Sequence, residues 1–257
     1  MTGRQKLTAF TTIFRKEVTR FLRIWPQTII PSMMMMALYF VIFGKFIGSQ
    51  IDDINGFNYM QFIVPGLVMM SVITNSYSNV VSSFFSTKFQ KSVEELLVSP
   101  TPDYILILGY ISGGVARGLI VGTAVTITSM LFEPLRINNI GFVILYIFLT
   151  SLLFALAGFM NAIFARKFDD ISIVPTFVLN PLTYLGGVFY SIDKLPSFWQ
   201  WISKLNPILY MVNGFRYGFL GTSDVNVYLG FAISILFIVM IFMSNLYLLR
   251  EGVGLKE

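Results

Sequence analysis

The stretch LPSFWQWISKLNPILYMVNGFRYGFLG, Leu195–Gly221, is apolar and aromatic enough for a bilayer, yet Pro196, Lys204, Pro207 and Arg216 interrupt it. A helix needs about 20 apolar residues to cross the hydrocarbon. The longest uncharged run here, 205–215, is too short and opens on Asn206-Pro207. The stretch therefore reads as an embedded hairpin that enters the membrane without crossing it, and its surroundings decide how many helices do cross.

Those surroundings belong to an integral membrane protein. Of 257 residues, 55% are hydrophobic and only 12% charged, with a mean hydropathy of +0.74, whereas soluble domains carry about 25% charged residues. Neither cysteine nor histidine occurs, which excludes disulfides, thiol nucleophiles, Cys/His metal sites and imidazole acid-base chemistry. The net charge of +5 suits topology and lipid contact, because nucleic-acid binding would need an exposed basic domain that this chain lacks. No short apolar segment with a cleavage site precedes Pro26, so no removable signal peptide is expected. There is no G-x-x-x-x-G-K-[ST] phosphate loop, no H-E-x-x-H and no G-x-S-x-G, and no internal repeat or soluble domain.

Charge-free gaps serve as a ruler. They run over 24–44, 54–87, 137–165, 171–192 and 225–249, and 104–132 qualifies apart from Arg117. The expected fold is all-α and polytopic, one transmembrane domain over 1–257 with spans at 27–47, 60–85, 104–132, 140–164, 171–190 and 226–249. An amphipathic helix at 4–25 precedes them, a loop at 86–103 joins spans two and three, and the hairpin occupies 195–221. An even number of spans places both termini on one side, and the Lys/Arg bias identifies it. With the termini inside, the inner segments hold Arg4, Lys6, Arg15, Lys16, Arg20, Arg23, Lys88, Lys91, Arg166, Lys167, Arg250 and Lys256. The outer ones hold Lys45, Arg136, Lys194, Lys204 and Arg216, and twelve against five predicts cytoplasmic termini with the hairpin on the outer face.

Ahead of the first span, Leu7, Phe10, Phe14, Val18, Phe21 and Trp25 recur at steps of three and four, with Arg15, Lys16, Arg20 and Arg23 between them. Such a helix lies in the headgroup layer with its cations toward anionic lipid, and the break at Pro26 turns the chain into the bilayer. It is either a topology anchor or an elbow that carries motion into the spans. In 86–103, Phe89, Val93, Leu96 and Leu97 share a helical face, and Lys91 and Glu95 are spaced for an i,i+4 pair beside Lys88 and Glu94. That apolar face fits a cytoplasmic partner, although a solvated connector or a lipid-facing helix would carry the same pattern.

Within the spans four features stand out. Arg117 is costly in a membrane, about 2.5 to 3.5 kcal/mol on insertion scales, so it should face protein, water or a carboxylate. Gly114, Gly118 and Gly122 form a small-residue stripe beside it, suited to packing inside the unit or to a subunit interface. Ser71, Asn75, Ser78, Asn79 and Ser82 share one face of span two, either as glue between helices or as one wall of a hydrated pathway. Asn180-Pro181 kinks span five and Gly186-Gly187 softens its outer end, which gives a flexible outer gate or a static kink.

Taken together, the chain resembles the ABC-2 type exporter permeases, the transmembrane subunits of ATP-binding cassette exporters, and within them the small stand-alone permeases of the YadH-like and nodulation-factor-export kind. The resemblance covers nearly the whole chain. Its most specific part is NPLTYLGGVFYSIDKLPSFWQWISKLNPILYMVNGFRYGFLG, at Asn180-Pro181, Gly187, Phe189, Pro196, Asn206-Pro207 and Arg216-Tyr217; VEELLVSP, Val93 to Pro100, resembles the first cytoplasmic loop. The resemblance implies a coupling helix over Phe89, Lys91, Val93, Glu94, Glu95, Leu96, Leu97 and Pro100, received by an ATPase. It implies an interfacial elbow at Arg15, Lys16, Arg20 and Arg23, and a hairpin capping the outer mouth with Trp199, Trp201, Tyr210 and Phe215 in the interface. Two copies of the chain would meet two ATPase subunits in a bacterial cytoplasmic membrane. ATP and magnesium would bind the ATPase, and no cofactor this chain. A drug, lipid or lipid-linked sugar is the expected cargo. The rivals are a nucleotide-independent carrier or channel centred on Arg117, and a lipid-modifying enzyme, which the lack of histidine and intramembrane carboxylates disfavours.

Overall fold

The computed structural model describes residues 1–48, 53–54, 56–134 and 137–254. Arg136 and Lys256, which enter the charge balance, lie outside the described residues, as do the side chains of 44–47. Regular structure among the described residues is helical apart from an isolated bridge between Ile54 and Phe57.

The chain begins with α1 (Gly3–Arg23), started by a capping box in which Thr2 and Gln5 exchange side-chain and backbone bonds. After Ile24 it continues as α2 (Trp25–Tyr39), which runs into a π-helical segment, Phe40–Ile47. There follow α3 (Tyr59–Phe89), the short α4 (Val93–Val98), α5 (Asp103–Met130) and α6 (Ile140–Phe164). Next come α7 (Asp170–Val174), a π turn (Pro175–Leu179), α8 (Asn180–Leu185), α9 (Ser197–Lys204), α10 (Pro207–Leu220) and α11 (Val227–Glu251). Asparagine starts four of these helices: Asn58, Asn139, Asn206 and Asn226 each accept a backbone N–H from the first turn of α3, α6, α10 and α11. Gly221 and Gly252, at φ of 74° and 68°, close α10 and α11 in the left-handed conformation that a side chain would oppose.

Among the described residues four helices are long and apolar enough to cross a membrane: Trp25–Phe43, Asp103–Met130, Ile140–Phe164 and Val227–Glu251. The helix α3 is longer still, 31 residues or about 46 Å at the α-helical rise, but its serines and asparagines dilute its hydropathy. It is the axis of the bundle. The helices α5 and α6 pack along it and α10 joins them near its start, so that Phe62, Ile63, Val64, Val68, Met69 and Val72 lose all contact with solvent. By contrast, α2 and α11 are peripheral and leave Met34, Leu38, Leu236 and Met243 exposed.

Two expectations need correction. The segment expected as a span at 171–190 is helical only over 170–185, as α7, a π turn and α8 in unbroken succession. Pro175 as well as Pro181 lacks an N–H, and the π turn takes up the register that the missing bonds release. The Leu195–Gly221 stretch is two short helices, but its aromatic residues divide differently from the expectation. Trp199 and Trp201 are exposed, whereas Phe215 is fully buried and Tyr210 nearly so, because α10 lays Met211, Val212, Phe215 and Phe219 into the core formed with α3, α6 and α11.

Candidate functional site

The residues singled out in the sequence gather along α3, at three levels. At its C-terminal end, α3 stops at Phe89, which therefore belongs to the long helix and is separated from α4 by 90–92. Lys91 sits there at φ 59°, a left-handed conformation costing an ordinary residue about 1–2 kcal/mol. So turned, it forms no ion pair with Glu95, contrary to the i,i+4 expectation. The short α4 also presents a different side from the one expected. Val93 is 3% exposed, and Leu96 and Leu97 pack against the core, so the apolar face is spent within the chain. What remains outward is Glu94, Glu95 and Val98, with Phe89 and Phe168 in edge contact at 4.9 Å and Pro100 beyond. Lys88 anchors the joint: its Nζ donates to the carbonyls of Ile163 and Ala165 at 2.7 and 2.6 Å, satisfying the end of α6.

At the second level, a seam of polar side chains crosses the helices. Glu17 of α1, fully buried, accepts 2.7 Å from Ser83 Oγ and 3.2 Å from Arg20 Nη2. Arg20 also donates to the carbonyl and to Oδ1 of Asn79, each at 2.9 Å. One turn along α3, Asn75 Oδ1 receives Nε and Nη2 of Arg117 at 3.2 and 3.0 Å, while its Nδ2 donates to Ser32 Oγ of α2 at 3.1 Å. Asn75, Asn79 and Ser83, four residues apart, thus bind α2 and α5, then α1. Arg117 accordingly faces protein, held by an amide rather than a carboxylate. The side chain of Ser82 returns its hydroxyl to its own helix at Ser78. Glu17 and Ser83 were not among the residues singled out, although Ile13, Glu17 and Phe21 share the step of four that marks a helix face.

The elbow helix is seated by glycine. A Cβ at Gly109 would meet Ile13 at 2.7 Å, and one at Gly113 would overlap Cβ of Glu17, so α1 enters notches on α5. The stripe one position on does the same inside the bundle. A Cβ at Gly114 would meet Val80 at 2.5 Å, one at Gly118 would overlap Ser76 Oγ, and one at Gly122 would meet Ile147 and Val72 at 2.6 and 2.7 Å. These glycines pack α5 against α3 and α6. Of the elbow cations, Arg20 turns inward, Lys16 lies 5.3 Å from the Tyr110 ring, and Arg15 and Arg23 are exposed.

At the third level, a cleft of about 310 Å³ opens between α2, α3 and α8. Ser32, Met35, Tyr39, Met70, Ser71, Thr74, Asn75 and the exposed Asn180 are among its walls, with no Asp, Glu, Lys or Arg. Asn75 thus belongs to both the seam and the cleft. Nearer the start of α3, Arg216 is 1% exposed, stacks 3.9 Å from the centre of the Phe62 ring, and donates to the carbonyls of Gly187 at 2.6 Å and Phe62 at 3.3 Å. Gly187 needs its freedom there, at φ 71°. Asn206 Nδ2 donates to Leu182 O at 2.6 Å, fixing α10 to α8. Phe189 packs obliquely on the rings of Tyr39, a cleft residue, and Phe43. Pro181 follows Asn180 in α8, Pro207 opens α10, and Trp199 stands exposed on α9.

The family described as ABC-2 type transporter matches residues 8–220. The chain is 57% identical over 249 residues to the inner membrane transport permease YadH of Escherichia coli (strain K12), covering 97% of each chain. Nodulation protein J of Rhizobium leguminosarum bv. viciae is 22% identical over 215 residues, 83% of each chain. The protein of that name from Rhizobium meliloti (strain 1021) is 20% identical over 240 residues, 93% of this chain and 92% of its own.

Proposed function

The chain belongs to the ABC-2 type transporter family, and from that premise we propose that it is the membrane permease subunit of an ATP-driven exporter. It catalyses nothing itself. In this reading two copies meet two separate ATPase chains, which hold ATP and magnesium, in a bacterial inner membrane. Six spans are formed by the four long apolar helices together with α3 and the α7–α8 run. Both termini lie in the cytoplasm, consistent with the twelve-to-five distribution of Lys and Arg.

The observation that carries this reading is the reach of α3. One 31-residue helix joins α4 at its end, holds the polar seam at mid-length and walls the cleft beyond it. The ATPase presses on Glu94, Glu95 and Val98 beside Phe89. The push passes through the Lys91 joint into α3, and the seam shares the movement with α1, α2 and α5. The cleft then changes access, provided that ATP binds one arrangement more tightly than the other. An uncharged, methionine-lined wall adapts to amphipathic cargo of varied shape, which supports a drug, lipid or glycoconjugate substrate. The same lack of ionisable lining weighs against an ion-coupled carrier. The α8–α10 cap, pinned by Arg216, closes the outer mouth.

Gentle purification of the tagged chain with a native mass of the product tests the assembly, and a two-plus-two particle with an ABC ATPase is expected. Alanine at both Glu94 and Glu95 should reduce substrate-stimulated ATP hydrolysis while insertion is unchanged. A lone chain that moves solute in liposomes without nucleotide would overturn the exporter reading.

A further inference from the structure

We propose that the outward face of α1 is a binding site for an anionic phospholipid, with the headgroup phosphate on Arg15 and Arg23 and the acyl chains along α2. The proposal rests on the reading that α1 lies in the membrane surface, but not on any ATPase partner.

Sequence periodicity divides α1 into an apolar face and a basic one; the structure divides it into three. Ile13, Glu17 and Phe21 face the bundle. Leu7 and Leu22, 63% and 43% exposed, with half-buried Phe14, form an uncovered apolar strip. The third face carries Thr12, Lys16, Thr19 and Arg23 at helical steps with Arg15 beside them, and together with Arg20 and Ile24 they line an open groove of about 700 Å³. Glu17 is the single carboxylate in residues 1–48, and it is buried, 3.2 Å from Arg20 and 4.0 Å from Lys16. Arg15 and Arg23 therefore keep their positive charge at the groove, with the hydroxyl of Thr19 as a further donor, whereas that of Thr12 is given to the carbonyl of Thr8 at 2.8 Å.

An uncovered apolar track leads away from it. Ile24 and Trp25 are 39% and 51% exposed at the turn, and Ile30, Met34 and Leu38 continue at steps of four along α2, at 39%, 66% and 53%. Cations that surround a groove at the mouth of an apolar track match a molecule with an anionic head and long apolar chains. A soluble anion would have no use for the track, and neutral lipid none for the cations. Each Lys or Arg near an anionic surface strengthens association about fivefold.

Trp25 supplies the probe. In full-length Trp199→Phe/Trp201→Phe protein it is the sole tryptophan, and liposomes of phosphatidylcholine can carry bromine-labelled acyl chains on either phosphatidylglycerol or phosphatidylcholine at equal mole fraction. Phosphatidylglycerol should associate at Trp25 about 30-fold more strongly than phosphatidylcholine, read as the stronger quenching by its brominated form. Arg15→Gln/Arg23→Gln should lower the relative association of phosphatidylglycerol about 30-fold and equalise the two quenchers, while Arg15→Lys/Arg23→Lys retains the preference and shows that the helix is still seated. Equal quenching in the parent protein overturns the proposal, and so does a preference that survives in the glutamine variant. Loss of the preference to millimolar inorganic phosphate, but not to chloride of equal ionic strength, would assign the groove to a free phosphate and overturn the lipid assignment. Because no ATPase is present, failure here leaves the exporter reading to its own test.

Discussion

Replacing Glu17 tests whether the elbow helix is tied to the bundle by charge or only by shape. In soluble cores, removing one partner of a buried ion pair costs about 3–5 kcal/mol, whereas polar pairs between membrane helices average about 0.6 and reach about 1.7 kcal/mol. Arg20 lies between those cases: its side chain is 32% exposed and keeps two 2.9 Å bonds to Asn79 after Glu17 is gone. Ser83 Oγ, in contrast, loses its 2.7 Å acceptor. Glu17→Ala should therefore cost about 2 kcal/mol, and Glu17→Gln, which keeps an acceptor for Ser83, about 1 kcal/mol. The Glu17→Ala/Ser83→Ala cycle, whose two residues join α1 to α3, should give a coupling energy of about 1–1.5 kcal/mol. The assay is reversible unfolding in mixed micelles for the four proteins of the cycle, together with the rate of tryptic cleavage after Arg15 and Lys16. A coupling energy below about 0.3 kcal/mol, within additivity error, with unchanged cleavage would refute the idea that charge fastens α1.

Two further outcomes follow from the cap and the α6–α7 turn. Arg216→Met should destabilise by about 2–4 kcal/mol, since it orphans the carbonyls of Gly187 and Phe62, and should open the 186–196 loop to protease; Arg216→Lys should not restore it, because one ammonium cannot stack on Phe62 and reach both oxygens. Asp170 Oδ2 accepts the backbone N–H groups of Arg166 and Lys167 at 2.8 and 3.0 Å, which hold its carboxyl below the ordinary 3.8. The folded value is the lower one, so the stabilisation is full above pH 3.8 and is lost as the pH falls through the folded value. Protection from hydrogen exchange at 165–170, corrected for the intrinsic pH dependence of exchange, should fall over that acid range in the parent protein and show no such pH step in Asp170→Asn.

The long helices were legible because charge-free length is a local property, and so was the polar face of span two, where Asn75 and Asn79 stand one turn apart. What periodicity could not supply was direction. Val93, Leu96 and Leu97 share a face as expected, but nothing local says that the face turns toward the chain's own core and leaves Glu94, Glu95 and Val98 outside. Glu17 was missed for a related reason: among four cations it reads as one more polar residue, and only its place between Ile13 and Phe21 hints at burial. Arg216 was visible as a family-like feature of the hairpin. Its partner Phe62 lies 154 residues away, a separation at which residue spacing carries no information. Pro175 was readable as a helix breaker but was overshadowed by the Asn180-Pro181 pair.

The seat of α1 also orders events during synthesis. Ile13 and Glu17 occupy notches that exist only because Gly109 and Gly113 lack side chains, and Ser83 lies far downstream of the carboxylate it satisfies. About a hundred residues must leave the ribosome before the first helix has anywhere to dock, at about 5–20 residues per second. The N-terminus is thus made first and secured late, and until α5 arrives it must wait at the membrane surface with Glu17 held only by Arg20 and Lys16 of its own helix. A substitution that filled either notch would be expected to leave every helix inserted and the nascent protein exposed to proteolysis at α1.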